Sequence, residues 1–481
     1  MRDISYHAHQ TAPVASPPFD LRRLLLLAVV PLPILAAFAP GLFVDPILGP
    51  AAGAALFRDA DAAHAEALLN GHWMLWIWSA RTWPQDLETL IILFYGGWAV
   101  YCAGLAQAIF RHDGSPTRAM LLAIALALAP PLADISIVLP AAVPTILLLV
   151  GHLLAVLLLP VRLGTGLLLV VTPLFMITDA SLVMMALATH VIVVGTGRDG
   201  ARPTLTKSLV LFLFGVAIGI LAIFLLNQWQ HGVFGLEKPI AAPLAEGEDR
   251  LALIGEWIAE FGHSLLGSLA PFGPIMVVAS FVILFWCASG HADRLFGTLV
   301  LGLLVIFGET VISGRAPLPQ ALLFVWVMVV VVLGTAAAWS PVRLLSMLLV
   351  VGLVVSAAIG GVWWQGRYAN SNALRAGSAA MVSDLAGSLE DPPRLIAIAG
   401  SPSSIEGGEA LREFEQLAFR VHQLTGIPTV QCPTPHPVCR ERGGELAQMP
   451  ARPAEGWIRR SEDGILLLRL PDGVFVPAPR S

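Results

Sequence analysis

Charge is what this chain is short of. Only 13% of its 481 residues are Asp, Glu, Lys or Arg, against roughly 25% in a soluble globular protein. Most of the sequence therefore cannot cover a water-facing surface. The formal net charge is -5, which leaves no positive excess for sequence-independent binding of nucleic acid. A hydrophobic share of 56% excludes a disordered chain. The C-terminal 117 residues contain no nucleophile elbow, phosphate loop or zinc pattern, so that part reads as accessory rather than catalytic.

Long apolar runs fill that space. The mean hydropathy is +0.77, and a spanning helix needs about 20 mostly apolar residues. Eleven segments qualify as candidates, near 22–44, 87–110, 118–138, 142–160, 162–177, 180–196, 207–229, 272–289, 294–312, 319–338 and 342–363. The first is too long for a signal peptide and lacks a small-residue cleavage site. Between 118 and 196, Pro130, Pro131, Pro140, Pro144, Pro160 and Pro173 interrupt the pattern. Freed backbone groups at such breaks must face protein or a water-filled cavity, so this region is expected to line one.

The remaining charge is uneven: 25 of the 61 charged residues lie in 365–481. Three parts follow: a short N-terminal tail (1–21), a polytopic membrane region (22–364) and a polar C-terminal unit (365–481). The expected fold class is an α-helical polytopic membrane protein, with a small α/β domain at its C-terminus. Within that unit RLIAIAG (394–400) and IPTVQC read as strands, 403–424 as a helix stopped by Gly426, and GWIRR with GILLLRL as a hairpin across SEDG.

Orientation follows from the basic residues. With the N-terminus in the cytoplasm, inner segments hold 11 Lys and Arg and outer loops five: Arg58, Arg81, Lys238, Arg250 and Arg315. Eleven spans then place the C-terminal domain outside. An oxidising exterior favours a disulfide between Cys432 and Cys439, which flank CPTPHPVC. Free thiols, or a metal site recruiting His436, are the competing readings. Cys102 and Cys287 fall in apolar helices and read as packing.

On this topology Asp45, Asp59, Asp61, Glu66, Asp86, Glu88, Asp134, Asp179 and Glu309 all lie in outer loops or near outer helix ends. Charge beside hydrocarbon is costly and usually faces a cavity or a partner. Outer loop 45–86 is the most informative. Its residues 54–70 have helical spacing, Gly71 ends the run, and Trp73, Trp76, Trp78 and Trp83 follow, a density expected at a membrane interface. Asp59 and Asp61 are two residues apart, about 200° on a helix, so one can equally serve as an N-cap. Outer loop 230–270 is acid-rich. His152 and His190 lie within apolar spans and read as buried, hydrogen-bonded side chains.

An acidic pair beyond the first span, Asp59-Ala60-Asp61, followed by an amphipathic loop ending in Asn70-Gly71-His72-Trp73, resembles the GT-C superfamily of lipid-linked glycosyltransferases. More narrowly it is similar to the bacterial type II glucosyltransferases that modify O-antigen. PPLADIS (130–136) and the helical lead WWQGRYANSNALRAGSAAMVSDL are further points of likeness. The family more often has adjacent acids, and Arg where this chain has His72.

The resemblance implies an enzyme of the bacterial inner membrane working on its periplasmic face. Its donor would be a sugar on a polyprenyl phosphate, its acceptor a glycan, lipid or protein. A carboxylate must take the acceptor's hydroxyl proton. Asp59 is the expected base, with Asp61 orienting the acceptor and Asp134 next in line. The departing phosphate needs positive charge, for which Arg81, Arg315 and Arg367 are expected, with Lys238 also available. No metal-ligand spacing is present, although outer carboxylates can accept a divalent cation. The alternatives are an O-antigen polymerase or ligase, a transporter or flippase of lipid-linked glycans, and a scaffold.

Overall fold

The computed structural model describes residues 20–38, 71–81, 87–111, 115–132, 139–196, 205–236, 273–313, 319–340 and most of 346–362. In the C-terminal unit it describes 391–399, 427–432, 437–452 and 454–470, with a few isolated positions between. Helices in the first part are α1 (Leu21–Val29), α2 (Pro31–Phe38), α3 (Trp73–Arg81), α4 (Leu87–Ile91), α5 (Gly97–Ile109), α6 (Pro116–Ala127) and α7 (Leu139–Leu158). A π-helical turn, Ile92–Gly96, joins α4 to α5. Then follow α8 (Val161–Asp179), α9 (Val183–Thr196), α10 (Leu205–His231), α11 (Gly273–Cys287), α12 (Ser289–Ser313), α13 (Pro319–Trp339) and α14 (Ser346–Val362).

Among the described residues, five helical stretches are long and apolar enough to cross a membrane: Thr89–Ile109, Val161–Val194, Leu205–His231, Ser289–Gly308 and Leu322–Trp339. The second is not one rod. Asp179 leaves the helical region (φ -159, ψ 98), and its carboxylate accepts hydrogen bonds from the Ser181 N–H at 3.0 Å and the Ser181 hydroxyl at 2.5 Å. This acid, which apolar flanks made conspicuous in the sequence, thus acts as an N-cap. Shorter apolar helices (Pro116–Ala127, Ala142–Leu158, Ile275–Cys287, Ser346–Val362) add to the bundle. Segment 118–138, expected as one span, is helical to Ala127, is interrupted at Leu128 and Ala129, and is helical again over 130–132; 133–138 lie outside the described residues. Residues 290–293, left between the candidate spans 272–289 and 294–312, belong to α12, and the break between helices falls at Ala288.

Helix α10 shows why this assembly belongs in lipid. Its buried stripe is Ser208, Phe212, Gly215, Gly219, Ile223 and Asn227. Its exposed stripe is Val210, Leu213, Phe214, Ile218, Leu221, Leu225 and Trp229. The protein-facing stripe holds the helix's small and polar residues Ser208, Gly215, Gly219 and Asn227 along with Phe212 and Ile223, while the outward stripe is large and apolar throughout, the reverse of a water-soluble helix and the pattern of membrane bundles. Glycine makes the contact with α8 close. A Cβ at Gly215 would lie 2.7 Å from Thr172 Cβ, and one at Gly219 would lie 2.6 Å from Met176 Cβ and 3.2 Å from Pro173 Cα. Similarly, α5 meets α7 at Gly104, where a Cβ would lie 2.5 Å from a Leu153 methyl.

In the C-terminal unit, β1 (Leu395–Ala399), β2 (Thr429–Cys432), β3 (Ile458–Arg460) and β4 (Ile465–Arg469) form one sheet of order β2-β1-β4-β3. β1 is parallel to β2 and β4, and β3 is antiparallel to β4. Alternation sends Ile396, Ile398, Leu466 and Leu468 to one face and Ala397, Ile465 and Leu467 to the other, and each face carries its own apolar cluster. Helix α15 (Pro437–Gln448) covers the second through Leu446. CPTPHPVC, read from the sequence as a loop, therefore runs into a helix whose first turn holds Cys439. Cys432 and Cys439 are joined as a disulfide, with Cα atoms 5.4 Å apart. The expected helix over 403–424 lies outside the described residues except at Val421, which is helical and buried with Ile396 and Ile398.

Candidate functional site

Among the sequence-derived site residues, Asp59, Asp61, Asp134, Arg315 and Arg367 lie outside the described residues, as does Lys238. Arg81 is the last residue of α3. What the structure does describe is how the end of the acidic loop is held.

Gly71 adopts φ +78, a conformation that favours glycine, and a Cβ there would meet Ile223 Cγ2 at 3.0 Å. Two independent requirements thus fall on one residue: a backbone turn and a close approach to α10. The turn delivers Trp73 against the last two turns of α10. Its indole Nε1–H donates to Asn227 Oδ1 at 2.7 Å, and the Asn227 amide donates to the Gly235 carbonyl oxygen. Both side chains are buried, and the Trp73 ring lies 5.6 Å from that of His231 and edge-on to Trp76 at 5.8 Å. A buried amide bonded on both its oxygen and its nitrogen fixes geometry, because either half left unmet would cost free energy.

This corrects one reading of the tryptophans. Trp73 is 1% exposed and serves as an anchor within protein rather than lying free at the interface. Trp229, on the outer stripe of α10 and 77% exposed, has the interfacial character instead. Asn227 was not singled out from the sequence. The signal was there: one amide, in register with Gly215, Gly219 and Ile223, near the end of a 27-residue apolar helix.

A second polar group lies within the bundle. Tyr101 on α5 and Thr189 on α9 have their hydroxyls 2.8 Å apart, and Thr189 donates to the Met185 carbonyl at 2.7 Å. The single Thr189 hydrogen is thereby used, so Tyr101 is the donor of the pair. His152 Nε2 on α7 lies 3.1 Å from the Ala186 carbonyl of α9. His190 is 1% exposed, and neither ring nitrogen has a hydrogen-bond partner among the described residues. The expectation of hydrogen-bonded histidines therefore holds for His152 and fails for His190. No group of three His, Cys, Asp or Glu side chains among the described residues could hold a metal ion.

Comparison with protein-family models, with curated proteins and with solved structures yields no match to this chain.

Proposed function

We propose that this chain is an integral-membrane glycosyltransferase that moves a sugar from a polyprenyl-phosphate donor to a glycan, lipid or protein acceptor at the periplasmic face of a bacterial inner membrane. The supporting observation is the Trp73–Asn227 tether. It holds the end of the acidic loop at the terminus of a helix long and apolar enough to cross a membrane. Asp61 precedes Gly71 by ten residues, which reach at most about 35 Å. In this reading the acids lie near the boundary where a lipid phosphate meets water.

In this reading Asp59 accepts the proton of the acceptor hydroxyl as its oxygen attacks the anomeric carbon. A new glycosidic C–O bond forms, the bond to the phosphate oxygen breaks, and lipid phosphate leaves with the electron pair. Asp61 orients the acceptor, and Asp134 is the next carboxylate in line. Arg81, Arg315 and Arg367 supply positive charge to the departing phosphate. Attack from the face opposite the phosphate inverts the anomeric centre. Eleven spans with the N-terminus in the cytoplasm, and an outer α/β domain accessory to catalysis, complete the arrangement.

Asp59→Asn and Asp61→Asn are each expected to abolish sugar transfer, read by mass analysis of surface glycans, while membrane insertion is unchanged. Full transfer by both variants refutes the site. Cysteine labelling near position 60 from the cytosolic side refutes the topology. A transporter of lipid-linked glycans is the competing reading, favoured by His190, since an ionisable side chain in a membrane bundle is a frequent feature of transport paths. Solute flux in proteoliposomes without sugar transfer would establish it.

A further inference from the structure

We propose that His152 and His190 hold a trapped water between them, in the interior of the bundle formed by α5, α7 and α9. The inference does not depend on the transferase reading. Three helices meet here: α7 packs on α5 and α9, and α9 packs on α5.

His152 Nε2 lies 3.1 Å from a carbonyl oxygen, which only accepts, so Nε2 carries the hydrogen. Its Nδ1 is then a bare lone pair. That atom is buried and has no hydrogen-bond partner among the described residues. His190 is in the same position with both nitrogens. As a neutral ring it presents one donor and one acceptor.

Ala186 and His190 are four residues apart on α9, hence on successive turns of one face. A helical side chain leans toward the N-terminus, so His190 lies over the turn where His152 is docked. The two rings are close enough to interact electrostatically. Each histidine is six residues before the end of its helix, α7 or α9, or about 9 Å along the axis. Neither side chain can reach bulk solvent.

Three unmet ring nitrogens inside an apolar bundle are costly, and such groups are characteristically satisfied by an ordered water. His152 Nδ1 requires a donor, while His190 requires a donor and an acceptor. One water between the rings donates to His152 Nδ1 and bonds one His190 nitrogen, meeting two of the three unmet groups. A metal ion fits less well. It would want both lone pairs, yet no third His, Cys, Asp or Glu joins the pair among the described residues to complete a ligand set. Tyr101 and Thr189 satisfy each other beside the pair and leave it a separate site.

The experiment uses the full chain in lipid bilayers with nitrogen-15-labelled histidine and proton-detected solid-state NMR. His152 is expected in the Nε2-protonated tautomer with a hydrogen-bonded Nδ1, and both rings should receive magnetisation from water. His190→Asn, which keeps a donor and an acceptor, should preserve transfer to His152, and His190→Leu should abolish it. Wild-type rings that receive none refute the proposal, even if a variant fails to fold. Ring signals that move when a chelator is added also refute it, because the occupant is then a metal ion.

Discussion

Reducing the Cys432–Cys439 disulfide should loosen the sheet measurably without dismantling it. The two cysteines are seven residues apart in sequence, one ending β2 and the other in the first turn of α15. In the chain-entropy account, a crosslink closing so short a loop removes about 2.4 kcal/mol of unfolded-state freedom at 25 °C. Contacts other than the crosslink remain: Leu446 and Met449 still pack against Ala397 and Leu467. The sheet should therefore survive with lower stability. Amide hydrogen exchange reads this directly. The Ile396 N–H donates to the Pro428 carbonyl at 2.9 Å, and the Leu470 N–H to the Ala399 carbonyl at 2.8 Å. A loss of about 2.4 kcal/mol accelerates exchange of both amides about 60-fold when they open with the whole unit. Cys432→Ala with Cys439→Ala should reproduce the effect and make the protein insensitive to reductant. Acceleration of less than about threefold, or ~0.7 kcal/mol, would refute the loop-entropy reasoning.

Trp73→Phe keeps an aromatic ring but removes the buried donor to Asn227, and should cost about 1–3 kcal/mol in thermal unfolding of the lipid-embedded protein. In an Asn227→Leu background the same change should cost less, since the bond is already gone. Gly219→Val should destabilise by at least about 1–3 kcal/mol, because its Cβ would lie 3.2 Å from the Pro173 backbone, whereas Gly151→Ala, with nothing within 4 Å, should be nearly silent. In the β3–β4 turn, the Ser461 hydroxyl and then Arg442, 2.9 Å away, hold the Asp463 carboxyl below its usual range. This tie is present above the ordinary carboxylate pKa and is lost as pH falls through the lowered folded value. A carboxyl NMR titration should show the Asp463 pKa rising in Ser461→Ala, and rising less in Arg442→Ala.

Much of the plan could be read from the amino acids in order. Low charge and long apolar runs fix a helical membrane protein, because every backbone group in lipid must be satisfied within its own segment. The strands of the C-terminal unit follow from β-rich runs bounded by turn residues, and all four segments read as strands do form the sheet. Hydropathy has a limit, however. It scores how apolar a window is, not which side faces protein. Nothing along 205–231 says that Gly215 and Gly219 are the contact and Leu221 and Leu225 the lipid face, since that depends on where α8 lies. The same holds for Trp73, whose burial requires a partner 154 residues away, and for Asp179, which resembles a site acid until its cap geometry is seen. Sequence determines what each segment can bury. Only the packed structure decides which polar atoms find one another, because hydrogen bonds between distant segments depend on distances that local patterning does not encode.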